Sequence, residues 1–266
     1  MRRKNTIKTT AIVTTTMTDM KKKQVPMMAA LFIAFMVAWA PKAAAMHITE
    51  GILPASWAGI WFLVVAPFVF MGLRELRIRS ARSIHFKPLI GLTGAAVFVI
   101  SCMPIPVPVV GATAHPCGVG LAAILVGPTI TALIASVALT LQALFLAHGG
   151  LSTLGANTLS MGVIGGFSGY AVFHLGKRLG AGTWASAFAA GLIANWATYS
   201  GTALFMALAL ARNGEWFSMF LAIMAAFAPT QIPLGVLEGF ITAGAYSFIM
   251  RRRPEVADMD RMGVAT

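Results

Sequence analysis

The residues best suited to bind a metal ion lie in the nine-residue stretch Met46–Pro54, which reads MHITEGILP. It follows Ala43–Ala45, an A-x-A sequence of the kind after which signal peptidase cuts. If the chain is cut after Ala45, the amine of Met46 and the backbone and imidazole nitrogens of His47 become neighbouring donors at a free chain end. Nitrogen donors so arranged form a chelate for a divalent transition metal.

The composition is that of an integral membrane protein. The chain has 266 residues, 58% of them hydrophobic and 11% charged, against roughly 45–50% and about 25% in soluble domains. Its net charge of +12 comes from short basic clusters between apolar spans, a pattern that reflects membrane topology rather than a nucleic-acid surface. We therefore expect an all-α integral membrane protein without a nucleic-acid partner.

The first 45 residues predict targeting signals. Residues 1–19 form a polar, basic leader, and translation starts at either Met1 or Met20. From Met20 a lysine-rich start, the apolar run Met27–Ala40 and the A-x-A site predict a cleavable signal peptide over residues 20–45. An uncleaved anchor is the alternative, although a run of about fourteen residues is short of the roughly 20 that a span needs.

Basic residues orient the first two spans. A span over Ser56–Leu73 is followed by a predicted short loop that carries five basic residues, namely Arg74, Arg77, Arg79, Arg82 and Lys87. The positive-inside rule places this loop in the cytoplasm and residue 46 outside. The next span, Pro88–Met103, returns to the outer side, where three prolines end it. The loop 109–118 then places His115 on the same side as His47.

The apolar stretch from Val119 to Ala147 is broken at Gly127-Pro128. A single crossing would leave the later basic clusters outside, so we expect two short helices that either cross twice or form a re-entrant pair. At about 1.5 Å per residue the stretch reaches roughly 45 Å, so one of the two is expected to be short or tilted. The polar loop 148–157 then lies outside with His47 and His115.

Three further spans are predicted, and glycines mark one of them. They cover Leu159–Leu175, Trp184–Ala211 and Trp216–Met250, the last interrupted by Pro229 and Pro233. Glycines 162, 165, 166 and 169 form two overlapping G-x-x-x-G patterns, which allow close helix packing. The membrane-embedded metal-capture domain is thus predicted over 46–253, followed by a cytoplasmic tail over 254–266.

Four segments resemble the CbiM/NikM family, the substrate-capturing membrane subunits of energy-coupling-factor transporters for cobalt and nickel. They are Met46–Pro54, Ala114–Leu121, Ala147–Asn157 and Gln231–Gly239. The resemblance extends over about residues 46–253. It implies a bundle of about seven transmembrane helices with the N-terminus outside and the C-terminus in the cytoplasm, in agreement with the charge pattern.

The resemblance also implies a ligand set, a substrate and partners. The metal ligands would be the amine of Met46, the amide and imidazole nitrogens of His47, and the imidazole of His115. The protein would capture cobalt(II) at the outer face of a bacterial cytoplasmic membrane for cobalamin supply, with nickel(II) as the alternative. Its partners would be a transmembrane coupling subunit, cytoplasmic ATPase subunits and a small accessory membrane subunit. The metal is the transported substrate, and no cofactor is expected.

Less specific features indicate which branch of the family the sequence resembles. Glu50-Gly51 and the signal peptide are closer to the cobalt branch, whereas Thr49 and Ile52 depart from the pattern of either branch. Cys117 stands where the family has a small hydroxyl residue. We expect a packed free thiol there, against the alternatives of a soft metal ligand or a disulfide with Cys102.

Four other polar residues are given supporting roles. His148, Ser152 and Asn157 are candidates for orienting the metal ligands, with loop capping as the alternative for the last two and a reserve-ligand role for His148. Glu238 lies deep in an apolar span, where a carboxylate is costly. We expect it to hydrogen-bond Gln231 or Asn195 and so lock the bundle.

The sequence favours a transporter subunit over an enzyme or a scaffold. It contains no Gly-x-x-x-x-Gly-Lys-Ser/Thr loop, so ATP hydrolysis would belong to a partner. A membrane metalloenzyme would need an open coordination position and a nearby acid or base, for which Glu50 is the outer-face candidate. A scaffold subunit would tolerate replacement of His47 and His115 without loss of metal uptake.

Overall fold

Seven helices and one small sheet make up the described part of the chain, residues 44–45, 47–103, 105–107 and 112–253 of a computed structural model. The helices are α1 (Ala55–Arg82), α2 (Phe86–Ser101), α3 (Val119–Val126), α4 (Pro128–Phe145), α5 (Leu154–Arg178, with a π-helical section at Leu159–Gly165), α6 (Thr183–Leu210) and α7 (Trp216–Arg252). The strands are β1 (Ala44–Ala45), β2 (Ile105–Val107) and β3 (Ala112–Ala114). The leader, most of the signal peptide, Met46 and the tail 254–266 lie outside the described residues.

Four of the seven helices in the described residues have the length and composition of membrane spans. Helices α1, α4, α5 and α7 are long and apolar enough to cross a bilayer, and α2 is a shorter apolar helix of 16 residues. Large apolar side chains such as Leu63, Phe70 and Leu92 are exposed on the outer surface of the bundle, where lipid accommodates them. The chain is therefore a multi-pass membrane protein, and the seven helices agree with the expected number.

The stretch 119–147 forms two helices separated at Gly127, as expected. Gly127 has φ of +92°, a conformation that a side chain would strain. Pro128 opens α4 at a position where its missing N–H would be unbonded in any case. Helix α3 has eight residues, all buried, and rises only about 12 Å. It is too short to cross a membrane alone and lies in the core of the bundle.

The predicted basic loop after the first span is wrong. Helix α1 continues to Arg82, so four of the five basic residues are helical, the fifth lies in α2, and residues 83–85 connect the two helices. Arg79 provides the physical reason, since its Nη1 donates to Glu75 Oε1 (3.1 Å) and to the carbonyl of Val126 (2.7 Å). This cation satisfies the last carbonyl of α3, at the helix end that attracts positive charge.

Two further expectations, about α7 and about the loop 109–118, do not hold. Helix α7 is one continuous helix of 37 residues that contains both Pro229 and Pro233. Membrane helices tolerate proline where neighbouring helices support the backbone, and here Trp196 of α6 donates to the carbonyl of Gln231 at 3.0 Å. Helix α2 ends at Ser101, before the three prolines as expected, but the predicted loop 109–118 contains strand β3, which pairs antiparallel with β2.

The glycines of α5 allow close packing on two different helices. A Cβ placed on Gly162 would come within 2.9 Å of the Cα of Ala132 in α4, and Gly166 faces the same helix. A Cβ on Gly165 or Gly169 would lie 3.1 Å from a backbone carbonyl oxygen of α6. Each predicted G-x-x-x-G pattern therefore serves one helix contact.

Replacing Gly162 by Ala should destabilise the bundle. Overpacking costs about 1–3 kcal/mol, which outweighs the roughly 1 kcal/mol that Ala gains over Gly in a helix. The matched control is Gly244→Ala in α7, where an added Cβ has no neighbour within 4 Å and stability should stay equal or rise. The midpoint of thermal unfolding in one detergent measures both, and equal midpoints would contradict the close packing of α5 on α4.

Candidate metal centre

Three histidines from three separate connections meet in one cluster. His47 lies between β1 and α1, His115 between β3 and α3, and His148 between α4 and α5. Their ring centroids are 4.6 Å (His47 to His115), 5.0 Å (His47 to His148) and 5.1 Å (His115 to His148) apart. One ring nitrogen of each lies within 4.8 Å of the others. Such a group can hold one metal ion between its imidazoles.

The sheet explains why the first two histidines are neighbours. Strands β1 and β3 are parallel, with Ala44 opposite Ala112 and Ala45 opposite Thr113. The same offset, continued by two residues, sets His47 beside His115. Strand β1 precedes the predicted cleavage site, so other contacts must hold His47 in a processed chain.

Burial keeps the three imidazoles neutral. It lowers the pKa of His47 well below its usual range, and charges on His115 and His148 would lower that pKa further. The pKa of His115 is lowered to about 4, first by burial and then by His148, and burial also lowers the pKa of His148. Neutral imidazoles offer a lone pair to a metal at pH 7 without first losing a proton.

Hydrogen bonding indicates which ring nitrogens face the metal. His115 Nδ1 lies 3.0 Å from the carbonyl of Pro116, and because a carbonyl only accepts, Nδ1 carries the proton and Nε2 the lone pair. In His47 and His148 the Nε2 atoms are buried without a hydrogen-bond partner among the described residues. A buried nitrogen in this state is costly, and a metal ion would satisfy it.

Asn157 fixes the backbone next to His47. Its Oδ1 accepts from the amide of Ile48 (2.9 Å) and its Nδ2 donates to the carbonyl of Ile48 (3.0 Å). Thr153 donates its hydroxyl to the same carbonyl. These bonds come from α5 and the connection before it, so they hold His47 independently of β1. Asn157 therefore acts on the backbone beside a candidate ligand and not on an imidazole.

The connection between α4 and α5 approaches the His47 segment closely enough to require glycine. A Cβ on Gly149 would lie 3.3 Å from the Cβ of His47, and one on Gly150 would lie 2.6 Å from the Cα of Glu50. The amide of Ser152 donates to Glu50 Oε2 at 3.1 Å. Ser152 thus binds Glu50 through its backbone amide.

Glu238, Asn195 and Tyr199 fix the His115 segment. Glu238 accepts from the amide of Cys117 and from Asn195 Nδ2, which is one of the two partners expected for it. The hydroxyl of Tyr199 donates to the carbonyl of His115 at 2.9 Å. Helices α6 and α7 therefore position His115, a candidate ligand, through its backbone.

Both cysteines are free thiols. Cys117 is fully buried and Cys102 partly buried, with no disulfide between them. The packed free thiol expected at Cys117 agrees with this arrangement. Its sulfur lies 4.0 Å from Asn195 Nδ2.

The structure brings His148 nearer to the centre than the sequence suggested. The sequence placed it outside with the other two histidines, but a lone histidine in a glycine-rich loop gave no distance to them. The A-H-G-G sequence was the available signal, since two glycines let the loop backbone approach another segment closely. Met46 lies outside the described residues, and its amine stays a predicted ligand.

Comparison with known proteins identifies the family. Residues 47–256 match the family model CbiM, described as the cobalt uptake substrate-specific transmembrane region. A cobalt transport protein CbiM of Geobacter sulfurreducens is 56% identical over 220 residues, which cover 83% of this chain and 63% of that protein's length. A cobalt transport protein CbiM of Sorangium cellulosum is 53% identical over 213 residues, which cover 80% of this chain and 95% of the relative.

Solved structures show the same fold. A truncated transition metal transporter superposes with a TM-score of 0.69 at 24% identity, covering 77% of this chain and 99% of that one. A second transition metal transporter gives a TM-score of 0.67. With the family model matched over most of the chain and two relatives above 50% identity, this chain belongs to the family of cobalt uptake substrate-specific transmembrane regions.

Proposed function

We propose that this chain captures cobalt(II) at the outer face of the cytoplasmic membrane, as the metal-binding subunit of an ATP-driven energy-coupling-factor importer. The observation that carries the proposal is the cluster of His47, His115 and His148, whose rings are neutral and whose nitrogens converge. The names of the Geobacter and Sorangium relatives, both cobalt transport proteins, support cobalt as the cargo.

The proposed ligands combine the chain end with the imidazoles. The amine of Met46 and the amide and imidazole nitrogens of His47 form the chelate, and His115 adds a fourth nitrogen. A set of this kind favours square-planar geometry. The spacing of the three rings favours a direct role for His148 as a further ligand over the supporting role expected from the sequence.

Nickel(II) is the second candidate cargo because the donor chemistry does not exclude it. Affinity of a nitrogen site rises from cobalt through nickel to copper. Preference for cobalt would therefore rest on metal availability and on the geometry that the partners accept. Both metals belong in every binding test.

The energy for uptake is proposed to come from other chains. The sequence has no phosphate-binding loop of the Gly-x-x-x-x-Gly-Lys-Ser/Thr type. We therefore assign ATP hydrolysis to cytoplasmic ATPase subunits, linked to this chain by a transmembrane coupling subunit, with a small accessory membrane subunit as a further partner.

Processing at Ala45 should be required for tight metal binding, because an uncut chain lacks the amine ligand. Protein purified from membranes should begin with Met-His-Ile-Thr and carry about one cobalt or nickel ion per chain. Edman sequencing and elemental analysis of one sample test this. Tight metal binding by a chain that retains residues before Met46 would contradict the terminal chelate.

Substitution of each histidine in the cluster should weaken metal binding. His47→Ala and His115→Ala should each reduce cobalt(II) affinity at least a hundredfold, since each removes a direct ligand, and His148→Ala should do so by more than tenfold. His174→Ala is the matched control, because its Nδ1 bonds the carbonyl of Tyr170 within α5, away from the cluster. Unchanged uptake by the His47/His115 double variant would favour a scaffold instead.

The pH dependence of binding should reveal the chain-end ligands. Burial lowers the pKa of all three imidazoles, so protons compete less for them than for the amine and the amide. The amine and the amide must each lose a proton, which costs about tenfold in affinity per pH unit for each proton released. Equilibrium dialysis with cobalt(II) from pH 8 to pH 4 measures this. A flat curve above pH 6 would mean that the imidazoles bind alone.

A further inference from the structure

We propose that Glu238 is a positioning residue that sets metal affinity by holding the His115 segment against α7. The inference rests on the proposed role of His115 as a metal ligand. It gives a role to a buried carboxylate that is not among the proposed metal ligands.

The contacts of Glu238 converge on the backbone beside His115. Its Oε2 accepts from the amide of Cys117 (2.8 Å) and from Asn195 Nδ2 (2.7 Å), and its Oε1 accepts from the amide of Gly118 (2.7 Å). These distances are those of well-formed hydrogen bonds. Two of the donors are main-chain N–H groups. The carboxylate therefore fixes the backbone of the His115 segment, and this effect does not depend on which side chains the segment carries.

The burial of this carboxylate inside the bundle costs free energy. Glu238 lies in the middle of α7 and is fully buried, and the three donors that the structure gives it are all neutral. A carboxylate inside a membrane bundle is expensive and marks a functional position. A structural lock between α6 and α7 would need only the Asn195 bond, whereas two of the bonds leave the helix pair for the His115 segment.

The segment is held from a second side by α6. The Tyr199 hydroxyl donates to the carbonyl of His115 itself, and Gly118 has φ of +71°, so the chain turns sharply between the ligand and α3. Three successive peptide units after β3 are thus tied to α6 and α7. The position of the His115 ring depends on where those two helices stand.

Glycines keep α6 and α7 close enough for this arrangement. A Cβ on Gly239 of α7 would lie 2.8 Å from the ring of Phe188, and one on Gly191 of α6 would lie 2.7 Å from the carbonyl of Glu238. If α7 moved away from α6, the carboxylate would leave its donors and His115 would lose its fixed place. Metal affinity and the position of α7 are therefore linked through Glu238.

The test is Glu238→Gln, measured by cobalt(II) binding to the full processed chain in detergent. A glutamine oxygen can accept from one amide, but its NH₂ group then faces the other N–H. We expect an affinity loss of about 10–100-fold, the range for residues that orient a metal ligand. The visible absorption spectrum of bound cobalt(II) should shift toward that of His115→Ala, a signature that a purely structural defect would not produce.

A double-mutant comparison shows whether Glu238 acts through His115. In the His115→Ala background, Glu238→Gln should cause no further loss of affinity, because the ligand that it positions is already absent. Equal losses in both backgrounds would overturn the inference. Glu75→Gln is the matched control, since that carboxylate binds Arg79 and Thr129 on the far side of α3 and its replacement should leave affinity and spectrum unchanged.

A milder variant covers the case in which Glu238→Gln does not fold. Tyr199→Phe removes one hydroxyl that donates to His115 and keeps the ring packing, so affinity should fall about two- to tenfold. Unchanged affinity and spectrum in every folded variant would overturn the inference while the proposed function stands. If the wild-type chain bound neither cobalt(II) nor nickel(II), the proposed function itself would fall, and the inference with it.

Discussion

Hydrogen bonds from buried side chains to the backbone of the connecting segments hold the histidine cluster together. Asn157 pairs with both backbone groups of Ile48, and Glu238 accepts from the amides of Cys117 and Gly118. In a low-dielectric interior such bonds are strong, and an unpaired polar group is costly. His47 and His115 are therefore each placed by a polar residue on a membrane helix, and their rings stay available for a metal.

The helices can carry out this positioning because they are packed closely. Lipid tails are as apolar as the helix surfaces, so no hydrophobic drive brings membrane helices together, and tight contact through small residues takes its place. The glycines of α5 meet α4 on one face and α6 on the other. A site built on such rigid elements can hold donor atoms to within a fraction of an ångström.

Burial affects both the protonation state of the imidazoles and their capacity to bind a metal ion. Removal from water lowers the pKa values of His47 and His115, which favours neutral rings that can offer a lone pair. The same burial leaves the Nε2 atoms of His47 and His148 without hydrogen-bond partners among the described residues. Leaving these nitrogens without a partner costs free energy, and a bound metal ion would remove that cost.

Much of the fold and part of the site follow from the sequence alone. Apolar composition determines a membrane bundle, the Gly127-Pro128 pair determines where the stretch 119–147 breaks, and the spacing of glycines in α5 determines its close packing, because each of these is a local property. His47 and His115 are identified as metal-binding candidates by their residue type and setting.

The sequence failed where a distant contact decides the local structure. Arg79 extends α1 because it reaches the end of α3, and α6 supports α7 through its prolines. The approach of His148 to the other two rings, and the bonds from Glu238 to the His115 segment, join residues more than 30 positions apart. Only the tertiary structure could decide them, because no local pattern encodes the distance between two segments that a bundle brings together.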